Sequence, residues 1–115
     1  MLVTPNQTWY KIAESPAEIN FSVNGLAEIE IKGKIICIAQ HNNQLFACAQ
    51  KCPHASGILA DGYIDAVGNL VCPAHRYKFN IVNGRNVSGE GYYLKTFLIE
   101  QRENGVFVCL DDSVF

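Results

Sequence analysis

Cys52-Pro53-His54 and, seventeen residues on, Cys72-Pro73-Ala74-His75 are the two short segments around which the rest of the chain reads. Each is a knuckle of mixed type, C-x-H and C-x-x-H, offering one thiolate and one imidazole from nearly the same point. Thiolate suits zinc and iron–sulfur groups, and imidazole suits zinc, copper or iron. Two of each close a tetrahedral zinc site. They equally hold a 2Fe–2S cluster with both Cys on one iron and both His on the other. Two of the three histidines falling beside Cys and Pro argue against four unrelated core thiols and surface imidazoles. Pro53 and Pro73 fix φ and lower the entropy lost in ordering the ligands.

Outward from the knuckles the sequence alternates in the manner of β-strands. Tyr63–Ala66 and Leu70–Cys72 flank Gly68-Asn69, and Arg76–Val82 and Arg85–Val87 flank Asn83-Gly84. Upstream, Trp9–Ala13, Ala27–Ile31, the continuous apolar run Ile35–Ala39, and Leu45–Ala49 read as strands, with turns at Gly33-Lys34 and Asn42-Asn43. Downstream, Leu94–Gln101 and Val106–Leu110 flank Asn104-Gly105. Short strands at regular spacing, joined by residues that tolerate positive φ, predict an all-β, antiparallel fold. One short helical turn is expected at Ser15-Pro16-Ala17-Glu18, which has the form of a capping box. Both knuckles then fall on loop tips held by strands, where a scaffold presents a metal.

The composition is that of a folded domain, since 49% of the 115 residues are apolar and 17% charged. We expect one domain over 1–115. The net charge of −2 comes with no basic run, so nucleic acid is not an expected partner. No signal peptide is read at the N-terminus, and no apolar run nears the roughly 18–20 residues of a membrane span. Five cysteines with no disulfide pattern point to a reducing cytoplasm.

The remaining candidates have ordinary readings. Cys37, Cys48 and Cys109 lie in apolar strands and read as small core hydrophobes. A four-thiol site from Cys48, Cys52, Cys72 and Cys109 would leave both knuckle histidines unexplained. His41 reads as a solvated turn residue, and Asp61 and Asp65 as turn carboxylates. Lys51 and Arg76 adjoin the knuckles, where they would tune a bound group or meet a partner. Ile58, Leu59 and Tyr63 are expected to pack beneath the loops.

The whole pattern resembles the Rieske 2Fe–2S proteins, whose signature is C-x-H followed at this spacing by C-x-x-H. Phe79-Asn80 and Gly84 also resemble the residues that follow the second knuckle in Rieske ferredoxins, and Trp9 to Ala39 resembles their N-terminal β-region. The resemblance implies an antiparallel β-sandwich or barrel with a small cluster-binding subdomain built from loops 51–60 and 72–79. It implies that Cys52 and Cys72 hold the inner iron of one 2Fe–2S cluster, and His54 and His75 the outer iron, with no catalytic residue.

Two departures from the family bear on the potential. Quinol-oxidising Rieske proteins carry a disulfide between the knuckle loops, and the corresponding positions here are Gly57 and Ala74. They also place Ser and Tyr hydroxyls just after the second knuckle, where this chain has Tyr77 and Phe79. Fewer hydrogen bonds to sulfur destabilise the reduced cluster, so a potential on the order of −150 mV is expected. The function implied is that of a soluble one-electron carrier between a ferredoxin reductase and an oxygenase or other terminal redox enzyme. The alternatives are the small Rieske-like subunit of a nitrite reductase and a structural Cys2His2 zinc domain. With only His41 left for a mononuclear iron site, the chain is not expected to be an oxygenase.

Overall fold

The computed structural model describes residues 7–53, 57–74, 76–89 and 91–111. Among these described residues ten strands follow in order: β1 (Gln7–Ala13), β2 (Leu26–Ile31), β3 (Lys34–His41), β4 (Gln44–Ala49), β5 (Tyr63–Ile64), β6 (Asn69–Val71), β7 (Lys78–Asn80), β8 (Thr96–Phe97), β9 (Ile99–Arg102) and β10 (Gly105–Asp111). They form three sheets, ordered β1-β10-β9, β2-β3-β4-β8 and β5-β6-β7. Every pairing is antiparallel. The described residues contain two 3-10 turns and no α-helix, so the all-β antiparallel expectation holds.

The sheet containing β3 is the central layer, and its two faces line two cores. Ile36 and Ile38 point into a core with Ala27, Ala47, Val106, Val108 and Leu110. Cys37 and Ala39, alternating with them, point into a second core with Leu26, Cys48, Leu59, Leu70 and Phe79. A strand buried on both faces needs no polar alternation, which is why β3 reads as an unbroken apolar run. The first core joins the central sheet to β1-β10-β9. The second joins it to β5-β6-β7 and to both cysteines of the knuckles.

Because β4 pairs with β8, residues 50–95 form an insertion between two neighbouring strands of the central sheet. This insertion is the small subdomain, and its described part includes Cys52 and Cys72.

Several boundaries differ from the sequence reading. Leu94–Gln101 is not one strand: Phe97 pairs with Ala47 in the central sheet, whereas Ile99 pairs with Val108. The chain changes sheets at the exposed Leu98, whose carbonyl accepts from the Cys109 N–H at 2.9 Å. Arg85–Val87 forms no strand, only the single bridges Phe79↔Asn86 and Arg85↔Tyr93. The Asn80 Oδ1 takes the N–H groups of Val82 and Asn83, and the Asn83 Oδ1 that of Arg85, so side chains hold the turn while two backbone bonds, Asn80 N–H to the Arg85 carbonyl and Val87 N–H to the Lys78 carbonyl, join its arms.

Three turns also shift. The β2–β3 turn centres on Lys32-Gly33, with φ of 50° and 83°, because Ile31 pairs with Lys34. The last turn precedes Gly105, which pairs with Arg102 as the first residue of β10. Asn69 belongs to β6, and the β5–β6 turn is organised by Asp65. Asn42-Asn43 is placed as expected, with φ of 51° and 62°.

The Pro16–Glu18 turn forms, yet Ser15 makes no capping hydrogen bond. The Glu18 carboxylate instead accepts from the Glu14 N–H at 2.6 Å, since one 3-10 turn is too short for the reciprocal geometry of a capping box.

The Asp65 carboxylate accepts the backbone N–H groups of Asn69 and Val67 at 2.9 and 3.0 Å. The Asn69 N–H above all holds its carboxyl below the usual carboxylate range, and Lys78 at 3.8 Å adds a smaller pull. A native pKa below the unfolded value contributes stability that is present above the ordinary value, about 3.9. That stability is lost as pH falls through the native value. Wild type should therefore lose denaturant resistance more steeply than Asp65→Asn as pH drops from 5 to 2.5, read from urea midpoints. Parallel slopes would show that the turn does not depend on the ionised carboxylate.

Candidate metal centre

The two knuckle loops are built alike. The Cys52 N–H donates to the Gly57 carbonyl at 2.8 Å, and the Cys72 N–H to the Tyr77 carbonyl at 2.8 Å. In each case a cysteine closes a loop on the carbonyl five residues later, so its thiol leaves the backbone at a fixed point. The first loop is anchored behind Cys52 by Leu59 N–H to the Gln50 carbonyl and by the Lys51↔Ile58 bridge. The second is anchored by the Val71↔Lys78 pair of β6 and β7, and tightened by Arg76 N–H to the Cys72 carbonyl at 2.9 Å. Arg76 takes a φ of 58° to complete that return.

Cys52 and Cys72 are 3% and 1% exposed and share one core with Leu59, Leu70 and Phe79. His54 and His75, the other two predicted ligands, lie outside the described residues. The loops meet at Gly57 and Ala74. A Cβ on Gly57 would stand 2.9 Å from the Cys72 Sγ and 3.1 Å from the Ala74 Cβ. The two positions that lack the interloop disulfide of the quinol-oxidising proteins therefore face each other, and the hydrogen of Gly57 leaves room for the Cys72 sulfur.

This half of the donor set fits an iron–sulfur group. Both thiols come from separate loops, are withdrawn from water among apolar side chains, and have a side-chain-free position beside one sulfur. None of the five cysteines is in a disulfide. Among the described residues no three His, Cys, Asp or Glu side chains gather in a metal-binding group, so the Cys48, Cys52, Cys72 and Cys109 set is not assembled.

Cys37 and Cys48 instead face each other across β3 and β4 as core residues. The hydrogen bond between their thiols, followed by burial, raises the pKa of Cys48 well above that of an ordinary thiol. Cys109 is likewise buried on β10.

Leu59 is fully buried beneath the loops and Ile58 is half-buried, but Tyr63 is 49% exposed and shields nothing. On a two-residue strand only one of two neighbours points inward, and Ile64 takes that place. Phe79 is fully buried in the shared core, and Tyr77 packs partly against it. His41 ends β3 half-buried, close to the Gly68 turn. The sequence reading did not single out Tyr92, whose ring centroid lies 6.2 Å from that of Tyr77. Nothing in its local pattern marked it.

A family model described as Rieske [2Fe-2S] domain matches residues 8–97. The ferredoxin component of the alkene monooxygenase system of Xanthobacter autotrophicus is 25% identical over 73 residues, covering 64% of this chain and 60% of that protein. The ferredoxin component of the naphthalene 1,2-dioxygenase system of Pseudomonas putida is 25% identical over 57 residues, covering 50% of this chain and 54% of that protein. The match thus spans less than two thirds of either relative. In fold, the chain is similar to the ferredoxin of carbazole 1,9a-dioxygenase from Nocardioides aromaticivorans. That likeness has a TM-score of 0.74 at 16% identity and covers 88% of this chain and 96% of that one. With the family match spanning both knuckles, the chain belongs to the Rieske [2Fe-2S] domain family, and one 2Fe–2S cluster is the cofactor this membership implies.

Proposed function

We propose that this protein is a one-electron carrier, a low-potential Rieske ferredoxin of the cytoplasm, which takes electrons from a reductase and delivers them to an oxygenase or another terminal redox enzyme. Cys52, Cys72, His54 and His75 would hold the cluster, the thiolates on one iron and the imidazoles on the other, within a single domain over 1–115. The observation that carries the reading is the pair of buried thiols on two loops touching at Gly57 and Ala74. The ferredoxin components of two oxygenase systems among its relatives supply the partner class.

When bound, the group supplies a single reversible electron. The protein's own residues set its surroundings. The buried core of Leu59, Leu70 and Phe79 keeps water from the thiolate side. Phe79 has no hydroxyl to donate, which supports a potential on the order of −150 mV. No helix among the described residues is long and apolar enough to cross a membrane.

The test is the electron paramagnetic resonance spectrum of the dithionite-reduced protein, with iron, sulfide and zinc assayed on the same sample. An anisotropic signal with two irons and two sulfides per chain is expected. A silent spectrum with one zinc per chain would replace the carrier by a structural zinc domain.

The same assays test the loop contact. Gly57→Ala should lower iron and sulfide per chain relative to wild type, because something must move when a Cβ stands 2.9 Å from the Cys72 sulfur. Full occupancy with an unchanged spectrum would show that the loops separate freely.

A further inference from the structure

Charge is not spread evenly over this acidic chain. The insertion at residues 50–95 carries five cations and three carboxylates, while the remainder carries four and eight. The knuckle-bearing part is therefore net positive by two, and the rest net negative by four. Within the insertion, Lys51 directly precedes Cys52 and Arg76 follows the second knuckle. Both are exposed and neither has an ion-pair partner among the described residues. Arg85, also exposed and unpaired among them, is bridged to Tyr93. Lys78 is drawn to Asp65 and Lys95 to Asp111, both at 3.8 Å. Of the acids flanking the first loop, Glu28 accepts a hydrogen bond from the Gln50 amide, and Asp61 is an exposed carboxylate in the 3-10 turn that follows it.

The same insertion carries aromatic side chains open to solvent. Tyr92 is 43% and Tyr93 67% exposed; Tyr92 contacts the ring of Tyr77, the residue after Arg76, and Tyr93 is bridged to Arg85. Exposed tyrosines together with arginines have the composition of a protein interface.

Resting on the carrier reading above, we infer that Lys51, Arg76 and Arg85, with Tyr92 and Tyr93, form a basic docking face, and that the redox partner meeting it presents carboxylates. The overall charge of −2 would favour a basic partner; the local charge reverses that preference. Fields from exposed charges fade within about 10 Å at 0.1 M salt, so an approaching partner is steered by the nearest cations and not by the molecular total.

The test oxidises the reduced holoprotein in a stopped-flow mixer with two small probes, hexacyanoferrate(III), a trianion, and tris(phenanthroline)cobalt(III), a trication. The hexacyanoferrate rate should fall about tenfold between low and high salt, as for attracted reactants, and the cobalt rate should not fall. Lys51→Gln/Arg76→Gln should remove most of that dependence. Lys11→Gln/Lys32→Gln, which changes the net charge equally on the side of β1, should leave it intact. A hexacyanoferrate rate that rises with salt would overturn the inference, as would equal effects from the two double variants. Absence of any dithionite-reducible centre would instead overturn the carrier reading, and the docking face with it.

Discussion

Cys72→Ser is expected to yield a protein with no reduced-state 2Fe–2S signal and with iron and sulfide near zero, although the fold persists. A serine hydroxyl is a far poorer ligand for an iron–sulfur group than a thiolate, and Cys72 is one of only two thiols in the shared core that lie on the knuckle loops. The substitution also places a hydroxyl in a site 1% exposed, at a cost of about 1–3 kcal/mol. That penalty alone would lower occupancy, so the comparison is Cys37→Ser. Cys37 is fully buried in the same core, and its replacement carries a similar penalty without removing a ligand. The expected result is loss of signal in Cys72→Ser and retention in Cys37→Ser, with similar melting temperatures for the two proteins freed of metal. Retention of two irons by Cys72→Ser would remove Cys72 from the ligand set.

Gly84→Ala should be strongly destabilising although it lies outside the knuckles. Gly84 has a φ of 78°, and a Cβ there would stand 1.9 Å from the Leu94 carbonyl oxygen. Its own carbonyl accepts from the Leu94 N–H at 2.8 Å, and its N–H donates to the Asn80 carbonyl at 2.7 Å. No local shift relieves the clash without breaking one of these bonds. The loss should exceed about 3 kcal/mol, a fall of roughly 10 °C or more in the melting temperature. Gly33→Ala isolates the conformational part. Gly33 has a φ of 83°, yet a Cβ there meets nothing within 4 Å. Only the left-handed penalty of about 1–2 kcal/mol applies at that position. Equal melting temperatures for the two variants would mean that the approach of Leu94 to Gly84 does not hold in solution.

These two expectations divide what local sequence encodes from what the assembled fold imposes. The turn at Asn42-Asn43 and the existence of β1, β2, β3, β4 and β10 were legible in the sequence. They depend on φ preferences and side-chain period, both of which act over a few residues. The cysteine–histidine spacing was legible for the same reason, since each knuckle sets two candidate ligands of different chemistry within four residues.

The break at Leu98 was not legible. Thr96–Phe97 and Ile99–Arg102 carry the same strand-like pattern, and only their partners, β4 for one and β10 for the other, assign them to different sheets. The exposure of Tyr63 likewise depends on which face of a two-residue strand meets the core.

By itself, then, the sequence determined the fold class, the four candidate ligands and the absence of a cysteine pair between the knuckles. Tertiary structure decided that Gly57 packs against Ala74 and the Cys72 sulfur, that Gly84 lies under the Leu94 carbonyl, and that the knuckle-bearing insertion exposes both tyrosines and cations with no ion-pair partner among the described residues. Each of these is a contact or grouping between segments distant along the chain. The physical reason is that packing selects such neighbours by shape and burial over the whole domain, whereas residue patterns report only on their immediate surroundings.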